Sequence, residues 1–286
     1  MTPTCVDLIN PLDASTSDLL ARLGCAARDS NADLFLVGAF AREVLFYHLH
    51  DIETERKTLD TDVSVRVANW NAFQNVRGAL EKYGFEGKDN VVEKFIDSVS
   101  KREIDVIPFG AVAGSDARLT WPNDGPTWNV LGFEEALNHA LFISVQAASG
   151  AVRPFRVANI ASLVMLKMIS FYDRPNDRKR DVRDIGFMIQ HYCEAGNQAQ
   201  LLASPQLVAR AAQDPLIASA FLMGMDIQRI AHPDTRAFLL GQLRKETVSS
   251  SKCPFAKTLA SHCLKGKFDD ARAWLQALVD GLSDAL

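Results

Sequence analysis

Residues 60–67 have the sequence Asp-Thr-Asp-Val-Ser-Val-Arg-Val, in which polar and apolar side chains alternate. This two-residue period predicts a half-buried β-strand, with the valines on one face. Asp60 and Asp62 fall on the other face. Their Cα atoms should lie roughly 6–7 Å apart, because two residues separate them along the strand. The stretch therefore predicts a sheet that carries two carboxylates on one of its faces.

Two carboxylates at this spacing suit a pair of divalent cations such as Mg²⁺ or Mn²⁺. Mg²⁺ prefers oxygen ligands and usually takes only one or two protein carboxylates together with phosphate oxygens. Two such ions about 4 Å apart can bind the attacking and leaving oxygens of a phosphoryl transfer. The alternative is that Asp60 and Asp62 only solvate an exposed strand face. The Asp-x-Asp pattern by itself leaves that alternative open.

A strand, a glycine and a helix precede this stretch. Residues 33–37 are predicted to form a buried strand that ends at Gly38, and residues 39–49 have helical spacing. A glycine at such a turn lets backbone N–H groups approach a triphosphate, and a helix N-terminus attracts anions. Ala39 follows the glycine, and Arg42 could reach a phosphate or contact an aspartate. The alternative is an ordinary turn with a surface arginine.

Further along the chain, an acidic residue interrupts an apolar strand. In residues 102–110, Asp105 lies between Ile104 and Val106, whose side chains point to the opposite face. A buried carboxylate is costly unless something pairs with it, and a metal ion would do so. Glu103 shares the face of Asp105, but Asp105 is preferred because it lies at the strand centre. A solvated carboxylate on a half-buried strand is the alternative.

The whole chain shows a mixed first part and a helical second part. Helices are predicted at 18–29 and 69–83, strands at 91–96 and 102–108, a hairpin from 142–145 and 152–157, and an irregular loop at 110–127. From residue 159 onward only helical patterns occur: 159–172, 177–191 and three or four more in 198–286. The fold class is therefore α+β, a mixed sheet with flanking helices and a C-terminal all-helical domain. The predicted domains are 1–157 and 158–286.

Composition limits the classes of protein that fit. The chain has 31 basic and 35 acidic residues, giving a net charge of −4. Proteins that coat long nucleic acids usually have a basic excess, so any RNA contact should be a small local patch. Five cysteines, an odd number without a C-x-x-C pair, indicate reduced thiols. Without a secretory signal or an apolar run of about 18 residues, we expect a soluble, cytoplasmic protein without a membrane contact.

Taken together, the first-half motifs resemble the polymerase-β-like nucleotidyltransferase superfamily. The resemblance rests on Gly38-Ala39 after a strand, Asp60-x-Asp62 on the next strand, and Asp105 on a later one. It implies that all three aspartates bind metal and take part in catalysis, while the Gly38-Ala39 turn and Arg42 bind the nucleotide. The second turn residue is more often Gly or Ser in this superfamily, and the spacing to the Asp-x-Asp pair is long.

The second half is similar to the AbiEii/AbiGii-type toxin nucleotidyltransferases. These carry a helical lysine, here Lys167 within residues 163–168, and then a basic-Asp-x-x-Asp helix, here residues 178–185. The resemblance, which covers about residues 34–190, implies that Lys167 holds the NTP phosphates and Asp181 is a further essential acid. Arg178 is a candidate contact of the nucleotide. The residues themselves indicate that a lone lysine in an apolar helix needs an anionic partner or reaches the surface.

The implied activity is transfer of NMP from an NTP to an acceptor hydroxyl, with release of pyrophosphate. The resemblance implies an RNA acceptor, such as the 3′ end of tRNA, and a toxin with an antitoxin partner. A small-molecule nucleotidyltransferase of the antibiotic-modifying type is one alternative. A non-catalytic interaction protein that has kept this fold is the other.

Overall fold

A computed structural model describes residues 4–54, 58, 60–88, 91–122, 125–248 and 253–283. The chain divides into two compact units, 1–159 and 160–286. The first unit contains strands β1 (Asp33–Val37), β2 (Thr61–Arg66), β3 (Phe85–Gly87), β4 (Lys94–Asp97), β5 (Glu103–Phe109), β6 (Arg118–Thr120), β7 (Thr127–Asn129), β8 (Leu141–Gln146) and β9 (Val152–Val157). Its helices are α1 (Ala14–Asp29), α2 (Gly38–Glu43), which continues as a π-helical segment Val44–His48, α3 (Trp70–Lys82) and α4 (Phe133–Asn138).

The strands of the first unit form a seven-stranded mixed sheet in the order β3-β4-β5-β2-β1-β9-β8. The pairs β2–β5 and β1–β9 are parallel, and the other neighbours in the sheet are antiparallel. The mixed sheet with flanking helices confirms the predicted α+β class. β1 has the predicted bounds, and the β8–β9 hairpin lies where the sequence placed it.

One face of the sheet is a continuous apolar layer. Leu36, Val63 and Val106 are direct neighbours across β1, β2 and β5, and none of the three is exposed to solvent. Because successive residues of a strand point to opposite faces, Val37, Asp62 and Asp105 point to the other face. The apolar layer therefore determines which face receives the carboxylates.

Several elements differ from their sequence-based predictions. α1 begins at Ala14 because Asp13 caps it, accepting a hydrogen bond from the Thr16 backbone N–H at 2.9 Å. The helix predicted to begin at residue 18 therefore begins four residues earlier, and Ser17 is buried within it. The predicted loop at 110–127 contains β6 and the start of β7, which pair in a small hairpin. Its Trp121 ring lies 5.5 Å from Trp70, a stabilising contact that strand periodicity does not reveal.

The second unit is helical throughout its described elements. These are α5 (Ile160–Asp173), α6 (Lys179–His191), α7 (Gln198–Ala203), α8 (Pro205–Gln213), α9 (Pro215–Ile230), α10 (Pro233–Thr247), α11 (Pro254–Cys263) and α12 (Phe268–Ser283). The prediction of three or four helices after residue 198 was wrong: the described residues there form six. Prolines open α8, α9, α10 and α11, so a continuous helical pattern is divided into shorter helices. Among the described residues, no helix has both the length and the apolar character that crossing a membrane requires.

Helices α9 and α12 pack with their backbones in contact. A Cβ atom on Gly281 would overlap the backbone oxygen of Phe221, and a Cβ on Gly224 would lie 2.9 Å from the backbone nitrogen of Leu282. Only glycine at both positions permits this approach, so the close packing of α9 against α12 requires both glycines.

A buried ion pair attaches α1 to the edge of the sheet. Asp97 at the end of β4 is fully buried and accepts hydrogen bonds from Arg22 Nη1 at 2.7 Å and from the Ser100 backbone N–H at 2.9 Å. Burial raises the pKa of the Asp97 carboxyl, but the hydrogen bonds from Arg22 and Ser100 outweigh it and lower the pKa to about 2.

Replacing Asp97 with Ala should lower the free energy of unfolding by about 3 kcal/mol at pH 7, because the partly buried Arg22 would lose the more deeply buried of its two carboxylate partners and keep only Asp18. A depressed aspartate pKa stabilises the fold above the unfolded value of ~3.9, and this contribution is lost as pH falls. The gap between wild type and variant should therefore narrow between pH 4 and about 2. Chemical denaturation across this pH range measures it, with the exposed Glu86→Gln as the control. A gap that is independent of pH would contradict the account.

Candidate active site

Four residues form one straight row across the polar face of the sheet. Val37 on β1 pairs with Asp62 on β2, Asp62 pairs with Asp105 on β5, and Asp105 pairs with Lys94 on β4. Residues that are direct neighbours on adjacent strands share a face. Neighbouring strands lie ~4.8 Å apart, so Asp62 and Asp105 are held side by side by backbone pairing.

Gly38 lies at the end of this row, where β1 turns into α2. Its φ of +71° is in the left-handed region, and a Cβ atom there would overlap Asp62 Oδ2 and lie 2.7 Å from Asp62 Cγ. The carboxylate of Asp62 therefore occupies the space next to the Gly38 Cα atom. The sequence predicted a glycine for close approach of a phosphate, and the structure gives a second reason, which is room for the aspartate.

Asp105 is half-buried, and one of its oxygens lacks a hydrogen bond. Its Oδ1 atom is buried and accepts none, although Lys94 Nζ lies 3.2 Å away. That distance makes an ion pair, but its direction does not suit a hydrogen bond, and the contact to Oδ2 is longer at 3.5 Å. A buried oxygen in this state is a suitable ligand for a cation.

Asp60 lies outside the strand in which the sequence pattern placed it. β2 begins at Thr61, so Asp60 precedes the strand and its side chain is exposed. Among the described residues, no three or more His, Cys, Asp or Glu side chains form a group that could hold a metal ion. The three aspartates therefore do not make a preassembled cluster. The reason is that sheet pairing positions Asp62 and Asp105 but does not extend to Asp60.

The other predicted nucleotide contacts of the first unit follow Gly38 directly. Ala39 and Arg42 both lie on α2, with Ala39 half-buried and Arg42 only 6% exposed. Arg42 is thus not the surface arginine of the alternative interpretation. Gly38, Ala39 and Arg42 stand on one short segment beside the Asp62 carboxylate.

In the second unit, Lys167 has the anionic partners that its apolar helix requires. It is 7% exposed, and its Nζ donates to Asp181 Oδ1 at 2.9 Å and to Asp184 Oδ2 at 2.7 Å. Burial lowers the pKa of Lys167, but the two carboxylates outweigh it, so the pKa is raised and the ammonium stays charged. Arg178 is the N-cap residue of α6, which carries both aspartates. The phosphate-binding roles of Lys167 and Arg178 and the catalytic role of Asp181 stay predictions.

A family model identifies the chain. The model of the nucleotidyl transferase AbiEii toxin, type IV TA system, matches residues 18–252. This segment contains Asp62 and Asp105 of the first unit, and Lys167, Asp181 and Asp184 of the second. The chain belongs to the AbiEii family. This AbiEii protein is therefore a nucleotidyltransferase, as the sequence resemblance implied. No curated protein matches it.

Solved structures of other nucleotidyltransferases align with this AbiEii protein at low similarity. Antibiotic-resistance factor ANT(2″)-Ia is 15% identical over 67% of this chain and 96% of its own, with a TM-score of 0.35. An antigenic nucleotidyltransferase-like protein from Paracoccidioides brasiliensis is 19% identical over 63% and 78%, with a TM-score of 0.38. The Thermotoga maritima CCA-adding enzyme complexed with tRNA is 16% identical over 93% and 66%, with a TM-score of 0.31. Such TM-scores carry no functional conclusion, so the family match alone decides the assignment.

Sequence reasoning missed Lys94. It lies inside the strand predicted at residues 91–96, but alternation within one strand cannot tell which residue of a neighbouring strand it faces. Only the register of β4 against β5 shows that Lys94 is the direct neighbour of Asp105.

Replacing Gly38 with Ala should reduce nucleotide transfer at least ~100-fold, because the Asp62 carboxylate must move by an ångström or more. Gly78→Ala on α3 is the matched control, since a Cβ atom there meets nothing within 4 Å. The control should retain activity and gain about 0.5–1 kcal/mol of stability. Initial rates of NMP transfer measure the effect. Equal rates for the two variants would contradict this account of the turn.

Replacing Lys167 with Met should lower the free energy of unfolding by about 3–5 kcal/mol, because two adjacent carboxylates would remain without their cation. Since the pKa of Lys167 is raised, this contribution is complete below the ordinary lysine value of ~10.4 and is lost only at higher pH. Hydrogen exchange along α5 and α6 at pH 7 measures it. Lys267→Met, at a side chain 71% exposed, is the control and should leave exchange unchanged. Unchanged exchange in Lys167→Met would show that the cluster is not stabilising.

Proposed function

We propose that this AbiEii protein transfers NMP from an NTP to the 3′-hydroxyl of an RNA, with divalent cations held at Asp62 and Asp105. The observation that carries the proposal is the direct pairing of these two aspartates on parallel strands. The family resemblance supports the end of tRNA as the acceptor, the cytoplasm as the place of action, and an antitoxin protein as the partner that controls the activity.

The donor set fits Mg²⁺ or Mn²⁺. Mg²⁺ typically takes one or two carboxylates and completes its shell with water and substrate phosphate oxygens, so Asp62 and Asp105 suffice as the fixed protein ligands. The buried Oδ1 atom of Asp105, which accepts no hydrogen bond, supports this role. Asp60 is the proposed third ligand, and its exposed side chain would have to turn toward Asp62. Such cations supply charge neutralisation at the transferred phosphoryl group.

The residues of the chain then have positioning roles. The Gly38-Ala39 turn, with Arg42 beside it, is proposed to receive the NTP phosphates next to Asp62. Asp105 lies on the far side of Asp62 from this turn. We therefore propose that Asp105 holds a cation on the side of the acceptor hydroxyl.

A small-molecule acceptor is the second candidate, and the net charge of −4 favours it. Incubation with each labelled NTP, Mg²⁺ and total RNA, followed by a denaturing gel, separates the two candidates. Label in a discrete RNA band supports the RNA acceptor and identifies the preferred base. Pyrophosphate release that depends on an added small hydroxyl compound, without labelled RNA, supports the second candidate.

Asp62→Asn should reduce transfer by on the order of 10³-fold or more, because a cation ligand is lost while the size of the side chain is kept. Asp105→Asn should behave in the same way. Glu103→Gln is the matched control: it lies two residues from Asp105 on β5, but Lys88 holds its carboxylate. Transfer rates in Mg²⁺ measure all three variants. Wild-type turnover by Asp62→Asn would show that this pair is not the catalytic centre.

A further inference from the structure

Lys94 is the cation at the far end of the site row. It lies on β4 as the direct neighbour of Asp105, so the order across the sheet is Asp62, Asp105, Lys94. Its Nζ atom is 3.2 Å from Asp105 Oδ1 and 3.5 Å from Oδ2. Both oxygens that the proposed function offers to a metal ion therefore already face an ammonium group.

The side chain of Lys94 carries a positive charge at neutral pH, as lysine side chains ordinarily do. A divalent cation approaching Asp105 therefore meets a positive charge at the same carboxylate. The two cations repel each other, and they need the same oxygens.

We infer that Lys94 is an internal competitor of the divalent cation at Asp105 and sets the metal concentration at which the site assembles. The inference rests on the proposed function, because it takes Asp105 as a metal ligand. Lys94 is a positioning residue, since it acts through Asp105. Its side chain is 35% exposed, and the flexible four-carbon stem of a lysine can turn its ammonium toward solvent when a metal ion takes its place.

The side chain of Lys94 is not needed to hold the backbone of Asp105 in place. That backbone pairs with β2 on one side and with β4 on the other. Removing the ammonium should therefore free the carboxylate without displacing it, and the loss of repulsion should dominate. Metal affinity should rise, which is the opposite of what a merely structural role predicts.

A matched control lies close by. Lys88 forms an ion pair with Glu103 Oε1. Glu103 lies two residues before Asp105 on β5, on the same face of the strand. Lys94 Nζ is farther from Glu103, at 3.9 Å, so the two lysines divide the two carboxylates between them. Removing Lys88 deletes the same charge from the same edge of the sheet without freeing Asp105.

Mn²⁺ binding, measured on the full chain by electron paramagnetic resonance of the free ion, tests the inference. Lys94→Met should lower the Kd for Mn²⁺ about tenfold, because a unit charge next to a divalent ion in partly hydrated surroundings has an effect of this order. Lys94→Gln, which keeps an amide donor without the charge, should give the same shift and replaces Lys94→Met if that variant unfolds. Lys94→Arg should bind as the wild type does, and Lys88→Met should stay within about twofold of it.

The outcomes separate the inference from the function on which it rests. Unchanged or weaker Mn²⁺ binding by folded Lys94→Met or Lys94→Gln, with saturable binding by the wild type, overturns the role of Lys94 and leaves the proposed function standing. A shift of equal size in Lys88→Met overturns it as well, because the effect would then be one of general charge. Wild-type binding no tighter than that of Asp105→Asn overturns both proposals.

Discussion

Burial of one face of β2 fixes the register on which the candidate site depends. Val63 lies in the apolar layer between neighbours on β1 and β5, and this leaves Asp62 no choice of face. A shift of one residue would move the whole apolar set to the other face and place the carboxylates in the core. The energetic cost of such a slip is that of burying charges and exposing valines. Hydrophobic packing therefore positions the two carboxylates on the same face of the sheet, and no interaction between the carboxylates themselves is needed.

The same argument explains how far the sequence alone could predict the site. A short apolar run predicted β1, whereas alternation in β2 and β5 predicted those strands and the faces of Asp62 and Asp105, because a half-buried strand imprints its period on the chain. The alternation within one strand does not show how that strand is aligned with its neighbour, so the pairing of Asp105 with Lys94 became visible only in the structure. It also overextended β2 to Asp60, since an aspartate before a strand has the same pattern as one within it. The short β6–β7 hairpin carries too few residues for a period to emerge. After residue 198 the helical period did emerge, but it does not show where prolines divide the pattern into separate helices.

Lys167 illustrates a prediction whose physical premise was right while its chemical role stays open. A buried lysine in an apolar helix needs an anionic partner, and Lys167 has two, Asp181 and Asp184. Such a buried cluster is costly to desolvate, so its stabilising value lies in mutual compensation. The structure shows how the charges are accommodated within the second unit. A phosphate contact at Lys167 would have to compete with two carboxylates that already accept hydrogen bonds from two of the three ammonium N–H groups.

The contact between α9 and α12 bears on where this protein can be cut. The family match ends at residue 252, but α12 begins at Phe268 and buries Trp274 and Leu278. Gly281 lets α12 lie directly on the backbone of α9. The matched segment contains α9 but not α12, and so only one half of this helix pair. A fragment trimmed to the family boundary would leave the α9 groove open to water. The autonomous folding unit is therefore longer than the segment that the family shares, and recombinant truncations should retain α12.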